Sequence, residues 1–155
     1  MKKQNILKAV LVEIEKDLAR QLAANELASE GATHCEAKAE SKWDTCGLEQ
    51  SYLARGHAKQ FANLVQQLEE LRSFLLLNFT DKPIGVGALV VAEMAGEKMY
   101  FFILKCGGGI EVQEEGKEVT VITPESPVGA ALMDKKEGDS YSFRAGMNGH
   151  ILSVR

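Results

Sequence analysis

The stretch "VITPESPVGAALMDKKEGDSYSF", residues 121–143, decides the fold. It closes a β-branched run, "KEVTVITP", that reads as a strand. Ser126 then suits a helix N-cap, where its hydroxyl accepts from an unpaired backbone N–H. Pro127 suits the first helical position, where a missing N–H costs nothing. "SPVGAALMDKKEGD" therefore reads as a short helix, with Lys135 and Lys136 meeting its negative end. "SYSFRAG" and "HILSVR" follow as a hairpin of two strands. The stretch thus predicts strand, capped helix, tight turn and strand in succession.

Upstream, "GALVVAEM" and "EKMYFFILK" are β-branched and aromatic runs separated by "AGE", which predicts another hairpin. "CGGGIEV" has three consecutive glycines but no Lys-Ser/Thr to complete a phosphate loop, and reads as a flexible turn. The second half is thus expected to form a sheet of about five strands with one helix on it, an α+β arrangement.

The grammar changes near residue 80. All three prolines lie beyond it, as do eleven of the 14 glycines. Helices exclude proline and tolerate glycine poorly, whereas turns between strands need both. In the first half, Leu7, Val10, Leu11, Ile14, Leu18 and Leu22 recur at three- and four-residue steps, predicting an amphipathic helix from about residue 4 to 29. Gly31 is a natural stop and Thr33 a cap for a second helix reaching about residue 77. Phe61, Leu64, Leu68, Leu71 and Leu75 keep a seven-residue seam in its last part.

Two such helices with a short break predict an antiparallel hairpin, its first arm about 40 Å long at ~1.5 Å per residue. A turn at Gly31–His34 is one register. Pairing Leu7 with Leu71, Leu11 with Leu68, Ile14 with Leu64 and Leu18 with Phe61 centres the turn near residue 39 instead. Both registers put Glu36 and Glu40 at or beside the far end.

"THCEAKAESKWDT", residues 33–45, carries Glu36, Glu40 and Asp44 at four-residue spacing, one edge of a helix. Five acids against two lysines give Glu30–Glu49 a local charge of −3. Acids at this spacing commonly form a solvated face with modest i,i+4 pairing. Trp43 reads as a packing anchor. His34, Cys35, Cys46 and His57 do not make a zinc motif, because Cys-x10-Cys is not a zinc spacing.

At this point the residues resemble a known family. "VITPESPVGAALMDKKEGDSYSF" is similar to the C-terminal domain of the bacterial Gre transcription elongation factors, in which a strand precedes a Ser-Pro-Ile/Val-Gly-x-Ala-Leu helix and a Lys-Lys-x-Gly-Asp turn. The order of parts matches as well. The resemblance implies a helical hairpin over 1–80 with an acidic tip, and an FKBP-like β domain over 81–155. It implies a partner, RNA polymerase, docked through the β domain with Glu125, Ser126 and Pro127 at the contact. The hairpin would enter the secondary channel, and Glu36, Glu40 and Asp44 would share the Mg²⁺ of the polymerase active site. There they would assist cleavage of a backtracked transcript, which is two-metal chemistry that suits hard carboxylate ligands.

The chain would then be an accessory factor rather than an enzyme, with no cofactor of its own. The family's tip pattern is Asp-Leu-x-Glu-Asn. Here Glu40-Ser41 match the Glu-Asn step and Ala37 falls on the Asp position, with Glu36 one residue earlier.

Other readings compete. A non-cleaving occupant of the channel would keep the partner and lose the reaction. A peptidyl-prolyl isomerase would need an aromatic pocket, whereas Tyr100, Phe101, Phe102, Tyr141 and Phe143 read as strand core. A coiled-coil adaptor would dimerise through the 61–75 seam. The net charge of −4 argues against direct grip on nucleic acid, so any such contact is expected only through the polymerase. Three cysteines without a close pair suit reduced thiols, and no apolar run approaches the ~20 residues of a membrane span. A cytoplasmic location is expected.

Overall fold

The computed structural model describes the backbone of residues 1–33, 46–144 and 147–155, and the side chains of 1–24, 56–143 and 148–155 within them. The chain is α+β: a long N-terminal helix, a second helix, a six-stranded mixed sheet and one short helix.

Helix α1 spans Lys3–Thr33 and α2 spans Cys46–Arg72. The strands are β1 Leu89–Met94, β2 Glu97–Ile103, β3 Glu111–Glu114, β4 Lys117–Ile122, β5 Ser140–Arg144 and β6 Met147–Val154, and α3 spans Pro127–Leu132 between β4 and β5. Their order across the sheet is β3-β4-β2-β1-β6-β5. β2 and β4 run parallel and the other neighbours antiparallel.

The tight turns follow from left-handed backbone. Ala95 and Gly96 lie at φ 54° and 83° between β1 and β2, and Glu115 and Gly116 at φ 54° and 73° between β3 and β4. Two successive positive-φ residues match the right-handed twist of the strands that they join.

Four expectations need correction. The sheet has six strands rather than about five, because "CGGGIEV" runs into β3 instead of ending as a turn. β3 is four residues long and buries only Val112 fully, too short an alternation to register. Helix α1 continues through Gly31, which therefore does not stop it. Helix α2 ends at Arg72, not near 77. Beyond it Phe74, Leu76 and Phe79 are half-buried while Leu75 and Leu77 are 79% and 61% exposed, so Leu75 is no part of a buried helical seam. Last, α3 stops at Leu132, so Lys135 and Lys136 lie past its end rather than in its last turn.

The chain forms two compact units. One comprises Met1–Glu13 with Leu71–Arg155, the other Ile14–Glu70. In the first, one face of the sheet packs Val90, Ala92, Phe101, Ile103, Tyr141 and Ile151 against Leu132 of α3, with Val128, Ala131 and Phe143 beside them. Successive strand residues point to opposite faces. Leu89, Phe102, Val119 and Val121 therefore lie on the other face, and they too are buried.

The first turns of α1 belong to this unit, with Ile6, Leu7 and Val10 buried. The Met1 amine pairs with Glu115 at 2.8 Å, and the Asn5 amide donates to Glu114 at 2.9 Å. The Lys3 ammonium donates to the carbonyls of Leu77 and Gly87 and sits 5.3 Å from the Phe79 ring centroid. In the second unit Ile14 and Leu68 are buried. Among the described residues, no helix is long and apolar enough to cross a membrane.

Candidate functional site

The chain leaves β4 at Ile122 and reverses over Thr123–Ser126. The Ser126 N–H donates to the Thr123 carbonyl at 3.0 Å and its hydroxyl donates to the same oxygen at 2.7 Å. That hydroxyl also accepts from the Gly129 N–H at 3.0 Å, the N-cap bond expected from the sequence. Ser126 has the extended backbone of a cap residue, φ −66° and ψ 150°, with Pro127 opening the helix. One hydroxyl thus ties the turn to the helix.

Gly129 explains why the helix can sit so close. A Cβ built on it would lie 1.9 Å from the Thr123 carbonyl oxygen and 2.8 Å from the Ser126 hydroxyl. Only a residue without a side chain fits. Reasoning from the sequence had placed Gly129 in the motif without giving it this task. The available signal was a glycine inside a six-residue helix, directly after a Ser-Pro cap.

The helix ends as the Met133 N–H donates to the Gly129 carbonyl at 2.9 Å. Asp134 then turns left-handed, φ 63°, and its N–H donates to Ile84 while the Ile84 N–H donates to Lys135. "KKEGD" forms the next turn. The Lys136 N–H donates to the Asp139 carboxylate at 2.7 Å, and Gly138, at φ 89°, donates to Ile151 at 2.8 Å. The whole stretch is pinned to the sheet at both ends.

Of the three residues expected to meet a partner, Glu125 and Pro127 are exposed and Ser126 is half-buried in its cap. They share one turn. An open groove of about 780 Å³ lies further along, between the end of α3 and β5, lined by Ala130, Met133, Lys135, Ser140, Ser142 and Asn148 among others. None of Glu125, Ser126 and Pro127 lines it. Tyr141 also borders this groove. Its ring lies against Gly149, its hydroxyl is buried without a hydrogen-bond partner, and burial pushes the phenol pKa up.

Elsewhere, the hydrogen bond from the Met1 amine lowers the Glu115 pKa, and desolvation lowers that of Lys3. The aromatics weighed for an isomerase pocket serve packing here: Phe101, Phe102 and Tyr141 are buried, Phe143 lies against the core, and Tyr100 is half-buried beneath the Lys117 ammonium.

Glu36, Glu40 and Asp44 lie outside the described residues, as do His34, Cys35 and Trp43. Among the described residues, no group of three or more His, Cys, Asp or Glu could hold a metal ion.

No protein-family model matches the chain, and no curated protein sequence matches it. Solved structures similar to it include one of the transcription factor Gfh1, at 16% identity and a TM-score of 0.40, covering 96% of this chain and 94% of that one. GreA factor homolog 1 (Gfh1) of Thermus thermophilus is 17% identical with a TM-score of 0.39, covering 96% of each chain. Gfh1 of Thermus aquaticus is 19% identical with a TM-score of 0.40, covering 96% of this chain and 95% of that one. At that identity and TM-score the likeness assigns neither a family nor an activity.

Proposed function

We propose that this protein regulates transcription elongation by binding RNA polymerase. The β unit would be an FKBP-like docking domain, with the face around Glu125, Ser126 and Pro127 against the polymerase. The segment between α1 and α2 would be the tip of an antiparallel hairpin that carries Glu36, Glu40 and Asp44 down the secondary channel. The observation that carries this reading is the pattern "VITPESPVGAALMDKKEGD", with its Ser-Pro cap, helix glycine and Lys-Lys-Glu-Gly-Asp turn in the Gre order, on a chain whose helices precede its sheet.

In this reading the chain donates ligands and the polymerase supplies the chemistry. Glu36 and Glu40, four apart, would lie on one helical face and share the active-site Mg²⁺. A stalled, backtracked complex incubated with Mg²⁺ tests it. Shortened transcripts that disappear with Glu36→Ala and Glu40→Ala are the expected result. Failure to co-purify with core polymerase would refute the partner as well as the reaction.

A second reading keeps the partner without the cut, and Ala37 favours it, standing where the Gre pattern has an aspartate. It predicts altered pausing and competition with a cleavage factor, with transcripts left at full length.

A further inference from the structure

The seven-residue seam has one position left over. Leu68 and Leu71 are buried inside the chain, so a partner helix cannot use them, whereas Leu75 is 79% exposed. It stands past the end of α2, in residues 74–79, which belong to neither helix nor sheet. Exposure alternates here: Phe74 and Leu76 are half-buried, and Leu75 and Leu77 face solvent. That is the period of an extended chain, which sets Leu75 and Leu77 on one side.

The run is held from behind. A Cβ on Gly87 would lie 3.1 Å from the Phe74 ring and one on Gly85 3.1 Å from the Phe79 ring, and the Leu77 carbonyl accepts from Lys3. Among the described residues, neither Leu75 nor Leu76 makes a backbone hydrogen bond. A fixed, extended backbone with unpaired N–H and C=O groups is a template for another strand.

The occupant that fits is a second copy. In antiparallel pairing about Leu76, Leu75 of each copy stands across from Leu77 of the other on the same face, so four leucines leave water together. Charge favours the same direction. Arg72 lies before the run and Asp81 after it, so antiparallel pairing brings opposite charges together at both ends, whereas parallel pairing would bring like ones. We propose that this protein self-associates through residues 74–78, two copies sharing an antiparallel pair of strands. Two leucines and five residues of backbone fall short of the ~800 Å² per partner of a stable interface, so the dimer is weak and reversible, half-formed at about 0.1 mM. It does not rest on polymerase binding.

Sedimentation of the full chain across a concentration series, from about 10 μM to about 1 mM, tests it. The average mass should rise from 16.9 kDa toward twice that value. Leu75→Lys and Leu77→Glu should each weaken association at least about ten-fold. An equimolar mixture of the two should recover it, because antiparallel pairing sets the new ammonium of one copy across from the new carboxylate of the other. Leu22→Lys, at a leucine 48% exposed in the helical unit, should leave association unchanged. A mass that stays at 16.9 kDa throughout, or a mixture that associates no better than either variant alone, would overturn the proposal. So would a chain that stays monomeric while Leu75→Lys weakens its hold on core polymerase, which would give the two leucines to that partner instead.

Discussion

Replacing Gly129 by alanine sets two effects against each other. Inside a helix, alanine is favoured over glycine by about 1 kcal/mol, so propensity alone predicts a more stable protein. The structure predicts the reverse. The new Cβ would lie 1.9 Å from the Thr123 carbonyl oxygen, well over 1 Å inside contact distance, and the atom it meets is backbone. Helix and turn must move apart by at least that deficit.

Such a shift overstretches the 2.7 Å bond from the Ser126 hydroxyl to Thr123 and the 3.0 Å bond from Gly129 to Ser126. Each is worth about 1 kcal/mol, and overpacking adds roughly 1–3 kcal/mol. Against the gain in propensity, the net loss is about 2–4 kcal/mol. Guanidinium denaturation followed by far-ultraviolet circular dichroism measures it. Gly56→Ala is the control: its Cβ meets nothing within 4 Å inside α2, so that variant should gain about 0.5–1 kcal/mol. A Gly129→Ala protein as stable as the wild type, or more so, would refute the steric argument.

Ser126→Ala removes the hydroxyl that joins turn and cap and should cost about 1–2 kcal/mol in the same denaturation assay. Lys3→Met keeps the apolar stem but deletes the ammonium donor to Leu77 and Gly87. The expected loss is about 1–3 kcal/mol, again read from the denaturation midpoint. Tyr141 adds a pH dependence. Its folded pKa is raised above the ordinary 10.0, so above that pH the unfolded phenol ionises while the folded one keeps its proton. The unfolded state then binds fewer protons, and stability falls as pH rises. Tyr141→Phe should abolish that part of the alkaline fall in a pH series of melts. At neutral pH it should be neutral or stabilising by up to about 1 kcal/mol, because it drops a buried hydroxyl without a partner.

The start of α3 was legible because capping is local chemistry, and Ser126 and Pro127 are adjacent in sequence as well as in space. The β1–β2 hairpin was legible for the same reason, with β-branched and aromatic runs on either side of Ala95-Gly96. Local chemistry could not reveal β3. Its four residues bury one valine fully, and it exists because β4 offers an edge to pair with. The end of α2 was misread because Leu75, Leu76 and Leu77 are all apolar. A seven-residue seam can be continued through such a run whether the chain is helical or extended. The demand for glycine at 129 was invisible for a further reason: the atom that forbids a side chain lies six residues back, brought there only by the turn. The tip acids are another matter, since their spacing is plain in sequence and they lie outside the described residues.

The mixed origin of the sheet-bearing unit affects how this chain can be divided. Composition invites a cut near residue 80, yet compactness assigns Met1–Glu13 to the same unit as Leu71–Arg155. A fragment beginning at residue 81 would lack the buried Ile6, Leu7 and Val10 together with the Lys3, Asn5 and Met1 tethers. It would also lack residues 71–80 of the same unit, with buried Leu71 and half-buried Phe74 and Phe79; begun at residue 71 instead, the fragment misses only one short, contiguous piece, Met1–Glu13. Residues 71–155 and a synthetic peptide of residues 1–13 are therefore the natural halves of a complementation system, each incomplete until the other is added.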